Sequence, residues 1–492
     1  MEKILKADLT TERIEVLDYE PKSWGCYGRG LALKLVASSV PHYAGRYSPE
    51  NAIALVPGIL TGCKVASCCR VTIASKRGKG EGLQVCNVSG NLPQKMASLS
   101  IAGLLICGKS TEKNAVLHIG EDSAEIIHMP ELERKDTGTI VERLKKRFGA
   151  DAAILGVGKA ADMQLSLSTF FCTYPDGDPQ YHCPRNGFGD IPGSKGLRAV
   201  VVTGNGYFGR ECRDRDNFFK TGKRLARIIL ESEVCGQALP AYGSITLLEL
   251  LKDREKRTDF LERDSQKLYN RTREPSVRIS AAEKQKEGRR EARKTNYCCA
   301  PMCVVGCLNR HMSNDGEAYI SPDQSEVMAA LKRGFNIDDM AFTKQVQKRA
   351  MDLGITGTEF VTAAKMYLSA EGKRQDRESI LGLLEEIDQG TLTGRLVASR
   401  TEGILRLYPD REDLVPLLDR KAIDDEMRFD IRLERIDERY RSVPDIEYLY
   451  DQIFVLENLG FCIFTSFALL NNREAMELMA ELFTYRTGVK TD

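Results

Sequence analysis

Four of the chain's fifteen cysteines fall within ten residues, in the run Tyr297-Cys298-Cys299-Ala300-Pro301-Met302-Cys303-Val304-Val305-Gly306-Cys307. Thiols spaced this closely can turn inward onto one metal centre, so the backbone here must wrap around whatever they hold. A cubane iron–sulfur cluster needs four thiolates, often three local and one distant. The distant candidate is Cys462, in Leu456-Glu457-Asn458-Leu459-Gly460-Phe461-Cys462. Zinc is the rival metal, although its usual pattern of two paired knuckles is absent from this run. An inert cysteine cluster is the remaining alternative. In a reducing compartment disulfides are disfavoured, which turns clustered cysteines into ligand candidates. Cys26, Cys63, Cys86, Cys107 and Cys172 lie among apolar or small residues and read as small hydrophobes.

At 492 residues the chain is too long for one compact core, and two or three domains are expected. The net charge of +1, with 29% charged residues, argues against a nucleic-acid partner. No apolar run reaches the length of about 18 residues that spans a membrane. The opening MEKILKADLT has no apolar signal core and no lipidation motif is visible, so a cytoplasmic location is expected.

The texture of the chain changes near residue 210. Before it, LKADLTTERIEVLDY and AVLHIGEDSAEIIHM alternate apolar and polar residues around turn formers, as hairpins do. VTIAS, LLICG, AAILGVG and LRAVVVTG read as buried strands. After it, FFKTGKRLARIILESEV and the segments 338–353, 357–371, 377–389, 424–441 and 445–459 carry apolar residues at helical spacing. The expected class is therefore α+β: a β-rich domain over residues 1–210, then a helical region over 211–492. A mixed-charge stretch at about 251–296 reads as a solvated helix or connection. No internal repeat is evident.

A second constellation is Pro184-Arg185-Asn186-Gly187-Phe188-Gly189-Asp190-Ile191-Pro192-Gly193-Ser194-Lys195-Gly196-Leu197-Arg198. Closely spaced glycines let backbone amides approach an anion, and Arg185 can grip phosphate bidentately. They can equally serve a tight turn before the strand. This stretch resembles the signature of the tungsten-dependent aldehyde ferredoxin oxidoreductase family, a Gly-Arg-Gly-Gly turn followed by Gly-Ser-Lys-x-Leu-Lys-Ala. Further echoes run in order along the chain: Tyr27-Gly28-Arg29-Gly30-Leu31; Asn51; Pro57-Gly58-Ile59-Leu60-Thr61-Gly62 followed by Arg70; Asn87-Val88-Ser89-Gly90; Tyr242-Gly243-Ser244; and Glu457 to Cys462.

The resemblance implies an oxygen-sensitive two-electron oxidoreductase with tungsten, or molybdenum, held by two molybdopterins. A [4Fe–4S] cluster on Cys299, Cys303, Cys307 and Cys462 would pass electrons to ferredoxin or to an iron–sulfur electron-transfer subunit. A homo-oligomer is compatible with this. Arg70, Asn87, Gly90, Arg185, Asn186, Gly187, Gly354, Glu457 and Gly460 are the implied cofactor-binding residues, and arginine and backbone amides suit pterin phosphates. Glu326 is the candidate general base, with an exposed helix residue as the alternative.

The chain also departs from the family pattern. The local cysteines are spaced by three and three rather than two and three, and Cys298 offers a different first ligand. Met351-Asp352-Leu353-Gly354-Ile355-Thr356 stands where the family has Asp-x-x-Gly-Leu-Asp. Between Tyr408 and Val443 a polar helical segment replaces the family's Pro-x-Tyr-Asp-Pro-Arg-Gly loop and catalytic histidine. The alternative function is thus a non-catalytic iron–sulfur electron-transfer or structural subunit that has lost the metallopterin.

Overall fold

The structure is a computed structural model that describes residues 2–78, 81–175, 179–204, 206–245, 297–312, 318–321, 324–414 and 446–490. The charged stretch at 251–296, the helix expected at 424–441 and most of the segment replacing the histidine loop lie outside these residues.

Twelve strands build two six-stranded sheets. The first holds β1 (Glu2–Asp8), β2 (Arg13–Tyr19), β3 (Ile53–Pro57), β4 (Val71–Lys76), β5 (Leu83–Val88) and β6 (Ile101–Cys107), in the order β2-β1-β6-β3-β4-β5. The second holds β7 (Ala115–Ile119), β8 (Ala124–His128), β9 (Ala153–Val157), β10 (Phe170–Thr173), β11 (Tyr181–His182) and β12 (Leu197–Val202), in the order β8-β7-β12-β9-β10-β11. The two orders correspond strand for strand. Each sheet opens with an antiparallel hairpin whose first strand pairs in parallel with the last strand of the set (β1 with β6, β7 with β12). Each also places a helix after its hairpin, Gly28–Ser39 and Thr137–Phe148, and a short helix before its last strand, Leu92–Ser98 and Asp190–Ser194.

The N-terminal region is therefore one supersecondary unit built twice, which corrects the expectation of no internal repeat. The repetition lies in backbone pairing and not in side chains, so the sequence does not show it.

Burial follows from this arrangement. Leu5, Ile53, Leu55, Ile73 and Val88 of the first sheet share a core with Leu117, Leu155, Val157, Phe170 and Val200 of the second. Leu31, Leu35 and Val36 cover the outer face of the first sheet, and Ile140, Val141 and Leu144 that of the second. Strands covered on both faces read as continuous apolar runs, as IALVP and AILGV do. The helix Thr137–Phe148 is started by Asp136, whose carboxylate accepts the Thr139 amide at 2.8 Å. Asp136→Ala is expected to cost about 1 kcal/mol in urea unfolding.

Beyond residue 210 the described chain is helical apart from a small hairpin, Asn309–Met312 with Ala318–Ser321. The helices Met340–Leu353, Gly357–Ala370 and Arg377–Gln389 share one core, and Arg215–Glu231 packs with Arg473–Thr487 in another. Among the described residues no helix is long and apolar enough to cross a membrane.

Candidate functional site

The site is assembled by loops that leave the sheets and meet the ends of two helices. The first runs from Gly58 to Arg70, between β3 and β4. It lies against the turn that ends the helix Ile446–Leu459, where Gly460 adopts φ +100°. A Cβ on Gly58 would stand 2.1 Å from the Gly460 Cα, so the two backbones touch. Ile59 and Leu60 donate amides to the carbonyls of Asn458 and Leu459 at 3.1 and 3.0 Å, and Cys69 and Arg70 donate to Gly460 at 2.8 and 3.0 Å. Cys462 returns its amide to the Ser67 carbonyl at 2.9 Å. The cysteine-rich run joins as a third segment: Ser67 donates its amide to Met302 at 2.9 Å and its hydroxyl accepts the Val304 amide at 3.1 Å.

Three segments far apart in sequence thereby bring their cysteines together. Cys299, Cys307 and Cys462 are buried and Cys303 half-buried. Arg70 donates Nη2 to the Cys462 sulfur at 3.0 Å. A hydrogen bond from Cys69 brings the Cys299 thiol down to about 6 against its burial, helped by the Arg70 charge and the Ser89 hydroxyl. Cys307 is pushed up by burial and then by Cys299, Cys462 and Cys303, which places all four sulfurs within electrostatic reach. The Cys298 thiol instead donates to the Cys303 carbonyl at 3.4 Å. Of the two candidates for first ligand, Cys299 is therefore the one that faces Arg70 and Cys462.

Among the described residues no three His, Cys, Asp or Glu side chains converge tightly enough to share one ion.

The duplicated fold repeats this construction on the other side. The β9–β10 loop begins at Gly158, where a Cβ would lie 2.8 Å from the Cα of Gly354, the φ +75° residue ending the helix Met340–Leu353. Thr169 donates its amide to the Gly354 carbonyl at 2.9 Å, as Cys69 does to Gly460. Ser168 bridges Ile355 as Cys68 bridges Phe461. The two glycine motifs, Gly354 and Gly460, thus hold equivalent places, but only one carries thiols and an arginine.

The remaining expected residues flank these loops. Gly90 (φ +125°) and Gly187 are required by packing, since a Cβ would meet the Thr173 carbonyl at 2.5 Å and Thr169 Oγ1 at 1.7 Å. Asn186 sits in the left-handed region at φ +56°. Arg185 pairs with Glu326 at 2.9 Å, and both side chains stay partly exposed. Burial raises the Glu326 carboxyl above the ordinary glutamate value, and Arg185 opposes the shift. Glu457 pairs with Arg29 at 2.6 Å, and Arg29 stacks on Phe454.

Buried polar atoms without a hydrogen-bond partner among the described residues include Arg70 Nε, Gln84 Nε2, Asn87 Nδ2 and Thr356 Oγ1. Each such group costs about 1–3 kcal/mol if left unmet. Cys86, near Gln84 and Asn87, lies within electrostatic reach of Arg70, Glu359 and Glu457. These donors and acceptors fit a polar, anionic group bound between the loops.

Sequence reasoning missed Cys69 and Gly158 as parts of the site, and quoted Arg29 only within the Tyr27–Leu31 echo without a role. Cys69 carries no ligand signal in its own segment, and only the pairing of 58–70 with 457–462 brings it beside Cys299. His182 was also missed. It is buried 3.4 Å from the Cys172 sulfur, and burial, then the Arg70 charge, holds its imidazole down to about 3.

Residues 4–204 match the family model described as aldehyde ferredoxin oxidoreductase, N-terminal domain. The tungsten-containing aldehyde ferredoxin oxidoreductase of Thermococcus kodakarensis is 25% identical over 255 residues, 51% of this chain and 41% of its own length. That of Pyrococcus furiosus is 24% identical over 386 residues, 76% of this chain and 60% of its own. An aliphatic sulfonate oxidoreductase, WOR-like subunit, from Pyrococcus furiosus is 23% identical over 224 residues, 42% of this chain and 34% of its own. The chain thus spans about a third to three fifths of the length of these curated relatives. Among solved structures, a chain of the active site complex BamBC of benzoyl coenzyme A reductase, in complex with 1,5-dienoyl-CoA, shares the fold. Its TM-score is 0.75 at 16% identity, covering 100% of this chain and 85% of that one.

Proposed function

The chain belongs to the aldehyde ferredoxin oxidoreductase family, and on that premise we propose that it is a tungstopterin or molybdopterin oxidoreductase with a [4Fe–4S] cluster. It would oxidise or reduce a small substrate by two electrons and exchange them with ferredoxin or an iron–sulfur subunit. The observation that carries this reading is the paired cradle: two equivalent loop-and-glycine contacts, at Gly58/Gly460 and Gly158/Gly354, with a four-thiol site on one of them. A cofactor made of two like halves suits a cradle built twice.

Cys299, Cys303, Cys307 and Cys462 would hold the cluster, and Arg70, Asn87, Arg185 and the loops at Gly90, Asn186, Gly187, Gly354 and Gly460 the pterins. The metal and its dithiolenes supply the two-electron chemistry when bound, while the protein orients and excludes. Arg70 touches a cluster thiol with one nitrogen and keeps Nε unpartnered, which suits it to bridge the two groups. Glu326, whose carboxyl burial raises above the ordinary glutamate value, would serve as the general base. Arg185 holds it in place.

One observation favours the non-catalytic alternative: the Glu457 carboxylate is already engaged by Arg29. Activity of anaerobically purified protein separates the two readings. Reduction of a viologen dye by an aldehyde is expected, and Glu326→Gln is expected to lower its rate at least about 100-fold with bound metal unchanged. Metallopterin-loaded protein that takes electrons from no substrate, with dye reduction absent in both variants, would contradict the enzymatic reading.

A further inference from the structure

The two cradles differ in where they carry negative charge. At the first, Glu457 stands three residues before Gly460, and Arg29, from the first turn of the helix Gly28–Ser39, holds its carboxylate at 2.6 Å. At the second, the residue three before Gly354 is Met351, which is buried in an apolar core with Ile140, Leu144 and Phe171. Its neighbour Asp352 turns toward the second sheet and accepts the Tyr181 hydroxyl at 3.2 Å. Neither can do there what Glu457 does in the first.

A different carboxylate stands close by. Glu359 lies in the first turn of the helix Gly357–Ala370, which follows Gly354 directly. Its Oε2 is 3.5 Å from Arg400 Nη1, and this buried oxygen has no hydrogen-bond partner among the described residues. Arg400 is itself tied to the cradle. Its Nε donates to the Ser166 carbonyl at 2.7 Å, in the β9–β10 loop, and its Nη2 to the Gly187 carbonyl at 2.9 Å. Arg400 opens the helix Arg400–Leu407 in the left-handed region, at φ +65°, a conformation that a residue with a side chain keeps only where its surroundings hold it. Each cradle therefore has a carboxylate held by an arginine from the first turn of another helix: Glu457 with Arg29, and Glu359 with Arg400. Ser168 Oγ and Thr356 Oγ1, on the second cradle, are also buried without a partner among the described residues.

We propose that Glu359 is the pterin-binding carboxylate of the second cradle, positioned by Arg400; this rests on the reading that the paired cradle holds two pterins. The amino group and adjacent ring N–H of a pterin form a donor edge that a carboxylate matches with two charge-assisted hydrogen bonds. An arginine on one side does not exclude such a ligand, because each carboxylate oxygen has more than one lone pair. The sequence moves this carboxylate from the end of one helix to the start of the next.

The test measures pterin released on denaturation, together with iron, in the intact protein purified without oxygen. In Glu359→Gln pterin is expected to fall by about half, since Glu457 still serves the first cradle, while iron stays at the parental level. Glu359→Asp keeps a carboxylate on the same turn and is expected to retain more pterin than Glu359→Gln, a comparison that holds even if both variants lose stability. Parental pterin in Glu359→Gln would overturn the proposal and leave the metallopterin reading standing. So would an equal loss of pterin and iron, or less pterin in Glu359→Asp than in Glu359→Gln. A parent protein that releases no pterin would overturn both.

Discussion

Cys462→Ser, purified without oxygen, is expected to lose most of its bound iron while the duplicated β region stays folded. Cys462 is the one candidate ligand outside the local run, and it reaches the others only because its amide is fixed to the Ser67 carbonyl at 2.9 Å. Serine keeps that backbone bond and the side chain's size. It removes a soft thiolate, which iron–sulfur centres require, and leaves Arg70 without its sulfur acceptor. The core between the sheets contains no residue of this loop, so circular dichroism should show little change. Iron and sulfide analysis is the measurement, with a fall of about tenfold expected. Unchanged iron would remove Cys462 from the ligand set.

Gly58→Val should have the second large effect, on both stability and the site. A Cβ there already falls 2.1 Å from the Gly460 Cα and 2.6 Å from the Leu459 carbonyl carbon. Backbone cannot yield as a flexible side chain can, so the loop 58–70 and the turn 457–462 must separate. That breaks the hydrogen bonds from Ile59, Leu60, Cys69 and Arg70 together. Overpacking of this kind costs about 1–3 kcal/mol, and four backbone bonds at about 1 kcal/mol each add to it. Urea unfolding should show a loss of at least about 3 kcal/mol, with iron lost in parallel. A variant with parental stability and iron would show that the two loops do not depend on this contact.

The hairpins 5–19 and 115–129 were legible because alternation and turn formers are local signals, and both form antiparallel pairs. The helices Met340–Leu353, Gly357–Ala370 and Arg377–Gln389 were legible through period alone; the structure adds caps that were not read, Asp339 and Asp376 starting two of them and Gly354 and Gly390 ending them. The helices Gly28–Ser39 and Thr137–Phe148 went unseen within a region read as strands and turns. The first begins within the glycine-containing echo Tyr27–Leu31, and the second follows a hairpin without a break in polarity. The duplication was invisible for a different reason. A buried strand needs only apolar, extended residues, so the two copies keep their pairing while their side chains differ.

In the site, the cysteines were legible by type and spacing alone. What joins them was not, because the contact of Gly58 with Gly460 spans some four hundred residues and leaves no local pattern. The glycines show the same limit. Gly187 was read as room for an anion or as part of a tight turn, and Gly90, Gly354 and Gly460 as cofactor contacts the resemblance implies, yet at all four the structure gives a nearer reason, the touch of one protein segment on another.

The most direct test of the account is metal and pterin analysis of the protein purified without oxygen. The account predicts about four irons per chain, tungsten or molybdenum near stoichiometry, and pterin released on denaturation. Zinc in place of iron, or iron with neither pterin nor a heavy metal, would contradict it.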